Sequence, residues 1–183
     1  MKILALAGSP RKRGNTDLLL DAFIAGAKSK GAEAAKVYLN DLEVRGCQAC
    51  YACKKTGRCK QKDDMTKLYD ELLAADVWVF ATPVYWWGPS AQTKLALDRM
   101  FCLCHGPSRM AVRGKKAVII TASEDLPRKA TPHLLGMFRE SLAYLDLELA
   151  GELTVRAYTK GEVAKNPAAL KKAHGLGARV SSP

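Results

Sequence analysis

The chain lacks any run of eighteen consecutive apolar residues, which excludes a membrane-spanning helix and predicts no membrane partner. Histidine is scarce, with three in 183 residues. His133 and His174 stand alone and read as caps or surface residues. No Ser/His/Asp set and no carboxylate pair is present, so nothing points to hydrolysis. The G-x-G-x-x-G dinucleotide fingerprint is missing. The Walker A pattern also fails, because Gly8 and Gly14 are one residue too far apart and Asn15 stands where a lysine belongs. There are no repeats, low-complexity tracts or long linkers. Acidic residues are few: 18 Asp and Glu against 29 Lys and Arg leave a net charge of +11. The basic residues fall at Arg11 to Arg13, Lys54 to Lys62, Arg113 to Lys116, Arg128-Lys129 and Lys171-Lys172. No helix concentrates them and no nucleic-acid motif accompanies them. They read as a solvated basic surface that steers anionic ligands such as nucleotides.

What remains is the pattern of an ordinary globular domain, 48% apolar and long enough to bury a core. Met1 to Ala7 resembles the end of a signal peptide, but its apolar run is too short and it reads as the first core strand. Short apolar runs predict strands at Lys2–Ala7, Ala34–Leu39, Asp76–Ala81, Lys115–Thr121 and Leu147–Val155. Helical periodicity predicts helices at Asn15–Lys30, from Asp63-Asp64 through Leu73, at Pro89–Cys104, at Thr131–Leu145 and from Asn166 onward. Strands alternate with helices throughout. The expected fold is therefore one α/β domain over residues 1–183, three-layered and doubly wound, with a five-stranded parallel sheet of order 2-1-3-4-5. Its ligand site is expected beyond the carboxyl ends of the strands, where the strand order reverses.

Two loops fall at that end. The first, Ala7-Gly8-Ser9-Pro10-Arg11-Lys12-Arg13-Gly14-Asn15-Thr16, joins the first strand to the first helix. Ser9 and Thr16 offer hydroxyls, Asn15 an amide and Arg11 a fork of donors, at a helix start whose free N–H groups attract anions. This suits a phosphate monoester, and a mononucleotide such as FMN better than ATP or a tightly held NAD. The second loop, Thr82-Pro83-Val84-Tyr85-Trp86-Trp87-Gly88, can wall a flat aromatic ligand. Trp86 and Trp87 cannot both face one pocket if that loop is extended.

Four cysteines, Cys47, Cys50, Cys53 and Cys59, follow C-x2-C-x2-C-x5-C within an insertion at about 46–62. Four readings compete. A [4Fe–4S] cluster needs four thiolates on a loop free enough to surround it. Zinc takes four thiolates but usually as two separated pairs. Any C-x2-C pair can form a redox disulfide. The fourth reading is that the four cysteines bind no metal. Cys102 and Cys104 read as core or interface residues. Crowded thiols of this kind suit a cytoplasmic protein.

Gly8-Ser9-Pro10-Arg11 with Gly14-Asn15-Thr16, the cysteine segment leading into Lys62-Asp63-Asp64-Met65, and Thr82-Pro83-Val84-Tyr85-Trp86 leading to Lys94 and Asp98-Arg99 together resemble the flavodoxin-like NADPH-dependent FMN reductase superfamily. Within it the chain is most similar to the iron–sulfur flavoproteins. The resemblance implies FMN held at its phosphate by Ser9, Arg11, Asn15 and Thr16. It places Pro83, Val84, Tyr85 and Trp86 along the isoalloxazine, with Ala122, Ser123 and Glu124 closing the third side. It implies a [4Fe–4S] cluster on Cys47, Cys50, Cys53 and Cys59, NAD(P)H as a transient donor, and a homodimer or homotetramer. It also implies exchange with a ferredoxin-type carrier. The flavin carries the redox chemistry, so no acid–base side chain is expected.

Overall fold

The computed structural model describes residues 1–182. Strands β1 (Lys2–Ala7), β2 (Glu33–Tyr38), β3 (Val77–Pro83), β4 (Lys116–Ser123) and β5 (Glu148–Arg156) form one sheet of order 2-1-3-4-5, with every adjacent pair parallel. Eight α-helices accompany them among the described residues: α1 (Asn15–Lys28), α2 (Ala52–Thr56), α3 (Met65–Ala74), α4 (Ala91–Arg99), α5 (Gly106–Val112), α6 (Pro127–Ala130), α7 (Pro132–Tyr144) and α8 (Pro167–Ser181).

The sheet is apolar on both faces because successive residues of its strands point to opposite layers. Leu4 and Leu6 of β1, Trp78 and Phe80 of β3, and Ala117 and Ile119 of β4 join a core with α3, α4 and α7. Their neighbours Ile3, Ala5, Val77, Val79, Val118 and Ile120 join a second core with α1 and α8. Full burial of a side chain the size of Leu or Phe stabilises by about 1.5–3 kcal/mol.

Helices α1 and α8 touch backbone to backbone. A Cβ on Gly26 would sit 1.9 Å from the His174 carbonyl oxygen, and one on Gly177 would sit 2.0 Å from that of Phe23. Two glycines set this approach.

Several element ends differ from the sequence expectation. The helix expected over Pro89–Cys104 is shorter: Ser90 caps α4, accepting the Thr93 N–H, and Met100–Cys104 tightens into a 3-10 turn. Helices α2, α5 and α6 were not expected. No helix of the described residues is long and apolar enough to cross a membrane.

Candidate functional site

The loop between β1 and α1 is shaped by its own backbone and by the strand beside it. Gly8 donates its N–H to the Ala81 carbonyl at 2.7 Å, and its carbonyl accepts from the Ser90 hydroxyl at 2.5 Å. A Cβ on Gly8 would collide with Thr93 Oγ1 at 1.9 Å. Glycine therefore lets the first loop press against the start of α4. Arg13 sits in the left-handed region at φ 58°, held by its N–H to Asp17 at 2.6 Å. Asp17 is 3% exposed, and besides the Arg13 N–H its carboxylate meets Lys36 at 2.9 Å and the Tyr38 hydroxyl at 3.2 Å. A carboxylate in the first turn is thus neutralised before it can repel an anion. Burial alone would lower the Lys36 ammonium, but Asp21, Tyr38 and Asp17 outweigh it and hold the group charged well above its ordinary range.

Gly14 precedes helix α1 at its N-cap position and offers no side-chain cap. Its first N–H groups are left for a ligand, the arrangement that binds phosphate at helix N-termini. A cavity of about 290 Å³ opens there. Ser9, Arg11, Asn15, Thr16, Pro83, Val84, Tyr85, Ala122, Ser123 and Glu124 all line it, so ten of the eleven residues expected at a flavin meet in one place. The Ser9 hydroxyl accepts the Arg11 N–H at 3.1 Å and the Ser123 hydroxyl donates to the Asp125 carbonyl at 2.9 Å. The loops after β3 and β4 are joined where the Val84 N–H meets the Ala122 carbonyl at 3.2 Å. The uncapped helix, the donor set and the aromatic wall fit FMN.

Trp86 is the eleventh, and it stands outside this lining at 91% exposure. The loop is not extended. Tyr85 and Gly88 exchange both backbone hydrogen bonds at 2.9 and 3.0 Å, and Trp86 and Trp87 form the turn between them at φ 49° and 58°. Such turns favour Asn-Gly, and a bulky residue held there costs on the order of 1–3 kcal/mol.

Three contributors were missed in the sequence. Ala157, Tyr158 and Lys160, after β5, line the same cavity. Their only signal was position beyond a strand's carboxyl end. Asn15 fixes their loop: its amide donates to the Thr159 carbonyl at 2.9 Å, and its oxygen accepts the Val163 N–H at 3.1 Å.

The cysteines occupy a different place. Cys47, Cys50, Cys53 and Cys59 line a cavity of about 820 Å³, together with Cys102 and Cys104. It shares no lining residue with the first cavity. It follows α4 toward its last turn, away from the helix start at the phosphate loop. The nine residues of α4 span about 13 Å. Cys47 and Cys50 are exposed, Cys53 and Cys59 half-buried, and all six thiols are free. Burial pushes the Cys53 thiol up, and its neighbours Cys59, Cys50 and Cys47 push it further. Burial pushes Cys102 and Cys104 up to about 11. Among the described residues, no three Cys, His, Asp or Glu side chains stand close enough to hold a metal ion. The donor chemistry, four thiols with no histidine or carboxylate among them, fits an iron–sulfur cluster or zinc.

The segment is pinned at its end by Asp63, whose carboxylate takes both terminal nitrogens of Arg99 and the N–H groups of Arg45 and Met65.

A family model described as NADPH-dependent FMN reductase matches residues 1–148. An iron–sulfur flavoprotein of Archaeoglobus fulgidus is 30% identical over 181 residues, covering 99% of this chain and 79% of that one. An iron–sulfur flavoprotein of Methanosarcina thermophila is 39% identical over 103 residues, 56% of this chain and 54% of that one, so the likeness spans about half of that relative. The solved Trp repressor binding protein of Bacillus subtilis shares the fold at a TM-score of 0.72 and 23% identity, covering 96% of this chain and 98% of that one.

Proposed function

This chain belongs to the NADPH-dependent FMN reductase family and is an FMN-dependent oxidoreductase; we propose that it is of the iron–sulfur flavoprotein type. In this reading it moves electrons between NAD(P)H or a ferredoxin-type carrier and an acceptor, with a [4Fe–4S] cluster on Cys47, Cys50, Cys53 and Cys59. The observation that carries it is that all four cysteines line one cavity, apart from the flavin pocket. FMN supplies hydride and single-electron chemistry, and the cluster a one-electron site.

The chain's own residues bind and position. The first-turn N–H groups of α1, Ser9, Thr16 and Arg11 take the phosphate. Pro83, Val84 and Tyr85 wall one side of the ring system and Ser123 another. Tyr158 stands at the mouth, 65% exposed. No side chain is assigned a proton-transfer role.

The crowding of six cysteines into two short stretches supports a reducing compartment, the cytoplasm. The exposed Tyr85-Trp86-Trp87 turn supports assembly into a homodimer or homotetramer, because apolar surface of this kind marks an interface. The test is Cys50→Ser in anaerobically isolated protein. The reading expects iron to fall while flavin content stays the same. Unchanged iron, or unchanged reduction by a protein carrier, counts against it.

A second reading is a cluster-free NAD(P)H-dependent reductase of FMN, quinones or related acceptors. It is favoured by the absence, among the described residues, of three metal-binding side chains in contact. Failure of both NADH and NADPH to bleach the flavin in stopped flow would rule it out.

A further inference from the structure

Given FMN in the cavity at the start of α1, the reading on which this rests, we infer that Lys160 is the second cation on its phosphate and that Asn15 serves the phosphate by holding Lys160 in place. Ser9, Arg11 and Thr16 all come from the first loop and α1. Lys160 arrives from the far end of the chain, after β5.

The loop between β5 and α8 is built to present one residue. Ala157 starts it, buried, with its N–H on the Ser123 carbonyl at 2.8 Å. Val163 ends it, buried, with its N–H on the Asn15 side-chain oxygen at 3.1 Å. Between them one Glu162 oxygen accepts the Tyr158 N–H at 2.8 Å, the Thr159 N–H at 2.9 Å and the Thr159 hydroxyl at 3.2 Å. Gly161 then turns the chain at φ 76°, where glycine is favoured. Lys160 stands at the tip, between Thr159 and Gly161, and lines the cavity with Ser9, Arg11, Asn15 and Thr16.

Asn15 is the bolt of this loop. Its amide donates to the Thr159 carbonyl at 2.9 Å, on the residue directly before Lys160. Its oxygen and one amide hydrogen are therefore spent on the loop rather than on a ligand. The first residue of α1 and the tip after β5 are held as one unit, so the cation and the free N–H groups of the helix start face the same cavity.

The charge balance asks for that cation. A phosphate monoester carries about 1.5 to 2 negative charges at neutral pH. Arg11 and Lys160 are the two cations in the cavity lining, and neither is in an ion pair among the described residues. Asp17 is occupied by Lys36 and the Tyr38 hydroxyl, and Glu124, the one acid in the lining, belongs to the loop after β4. One guanidinium leaves part of the phosphate charge unmatched. A lysine ammonium, a point charge with three donors, supplies the rest. The ribityl chain and the oxidised ring system are uncharged, so Lys160 acts on the phosphate alone. Riboflavin, which lacks the phosphate, gives it nothing to hold.

The test compares FMN with riboflavin on the full chain after its flavin is removed, read by quenching of flavin fluorescence. Lys160→Ala should weaken FMN about tenfold and leave riboflavin within about twofold. Lys160→Arg keeps the cation and should recover most of the FMN affinity. Lys165→Ala, the same charge loss outside the cavity lining, should move neither ligand by more than about twofold. Raising salt from about 50 to about 300 mM should weaken FMN more in the wild type than in Lys160→Ala. Asn15→Ala should lower the preference for FMN over riboflavin about as far as Lys160→Ala does, and the double variant no further than either alone. Equal loss of both ligands in Lys160→Ala would make Lys160 a structural residue and overturn the inference. A preference about a hundredfold lower in the double variant would overturn the link between Asn15 and Lys160. Wild-type protein that binds FMN no better than riboflavin would remove the phosphate site itself. A preference for FMN that survives Lys160→Ala would keep that site and remove only Lys160 from it.

Discussion

Asp63 and Arg99 meet in a two-point ion pair, 2.5 and 3.0 Å long, with side chains only 5% and 0% exposed. The pair joins the end of the cysteine segment to the last turn of α4. Arg99 also donates to the Arg45 carbonyl at 2.7 Å, so one guanidinium holds both ends of that segment. Removing one partner of a buried pair leaves the other charge uncompensated. Asp63→Ala should cost about 3–5 kcal/mol in urea unfolding, more than any exposed pair such as Lys94–Asp98. A loss under about 1 kcal/mol would mean the pair is solvated.

The same pair sets an acid limit. Burial would raise the Asp63 carboxyl, but Arg99 and the N–H groups of Arg45 and Met65 outweigh it and hold it below the usual carboxylate range. A carboxylate depressed in the folded state stabilises in full above its unfolded value of about 3.9 and loses that contribution as pH falls through the folded value. Wild-type stability should therefore drop more steeply than that of Asp63→Asn below about pH 4. Parallel acid profiles would contradict this.

Asn15 places the loop that completes the flavin pocket. Asn15→Ala removes both of its bonds, to Thr159 and Val163. FMN should bind about tenfold more weakly, followed by quenching of flavin fluorescence, with about 1–3 kcal/mol lost in stability. Asn15→Asp keeps the acceptor for Val163 but sets a negative charge beside a phosphate, so it should bind FMN more weakly still. Equal affinity in all three proteins would show that the loop is held by other contacts.

Gly26→Ala tests the backbone contact between α1 and α8. A methyl group 1.9 Å from a carbonyl oxygen must drive the helices apart. The expected cost is about 1–3 kcal/mol or more, seen as a lower melting temperature. Gly136→Ala, where a Cβ meets nothing within 4 Å, is the control and should be neutral or stabilising.

The sheet order and the phosphate loop were legible because both are local. Short apolar runs set the strands, and Gly8, Gly14 and Thr16 crowd one short stretch. Other features depend on distant partners. Nothing near Arg99 announces that Asp63, thirty-six residues away, will bury it. Tyr158 and Lys160 follow a strand with no motif of their own. Helix α5 starts at Gly106-Pro107 and is too short for a periodic signal. The turn at Trp86-Trp87 had no signal in the sequence, because two tryptophans at positive φ run against propensity.

The most direct test of the central claim is the composition of protein purified without oxygen, with iron, acid-labile sulfide and flavin measured on one sample. The account predicts about four irons and four sulfides per chain alongside FMN, with a broad absorption shoulder near about 400 nm under the flavin bands. Stoichiometric FMN with neither iron nor sulfide would contradict it and leave a cluster-free reductase.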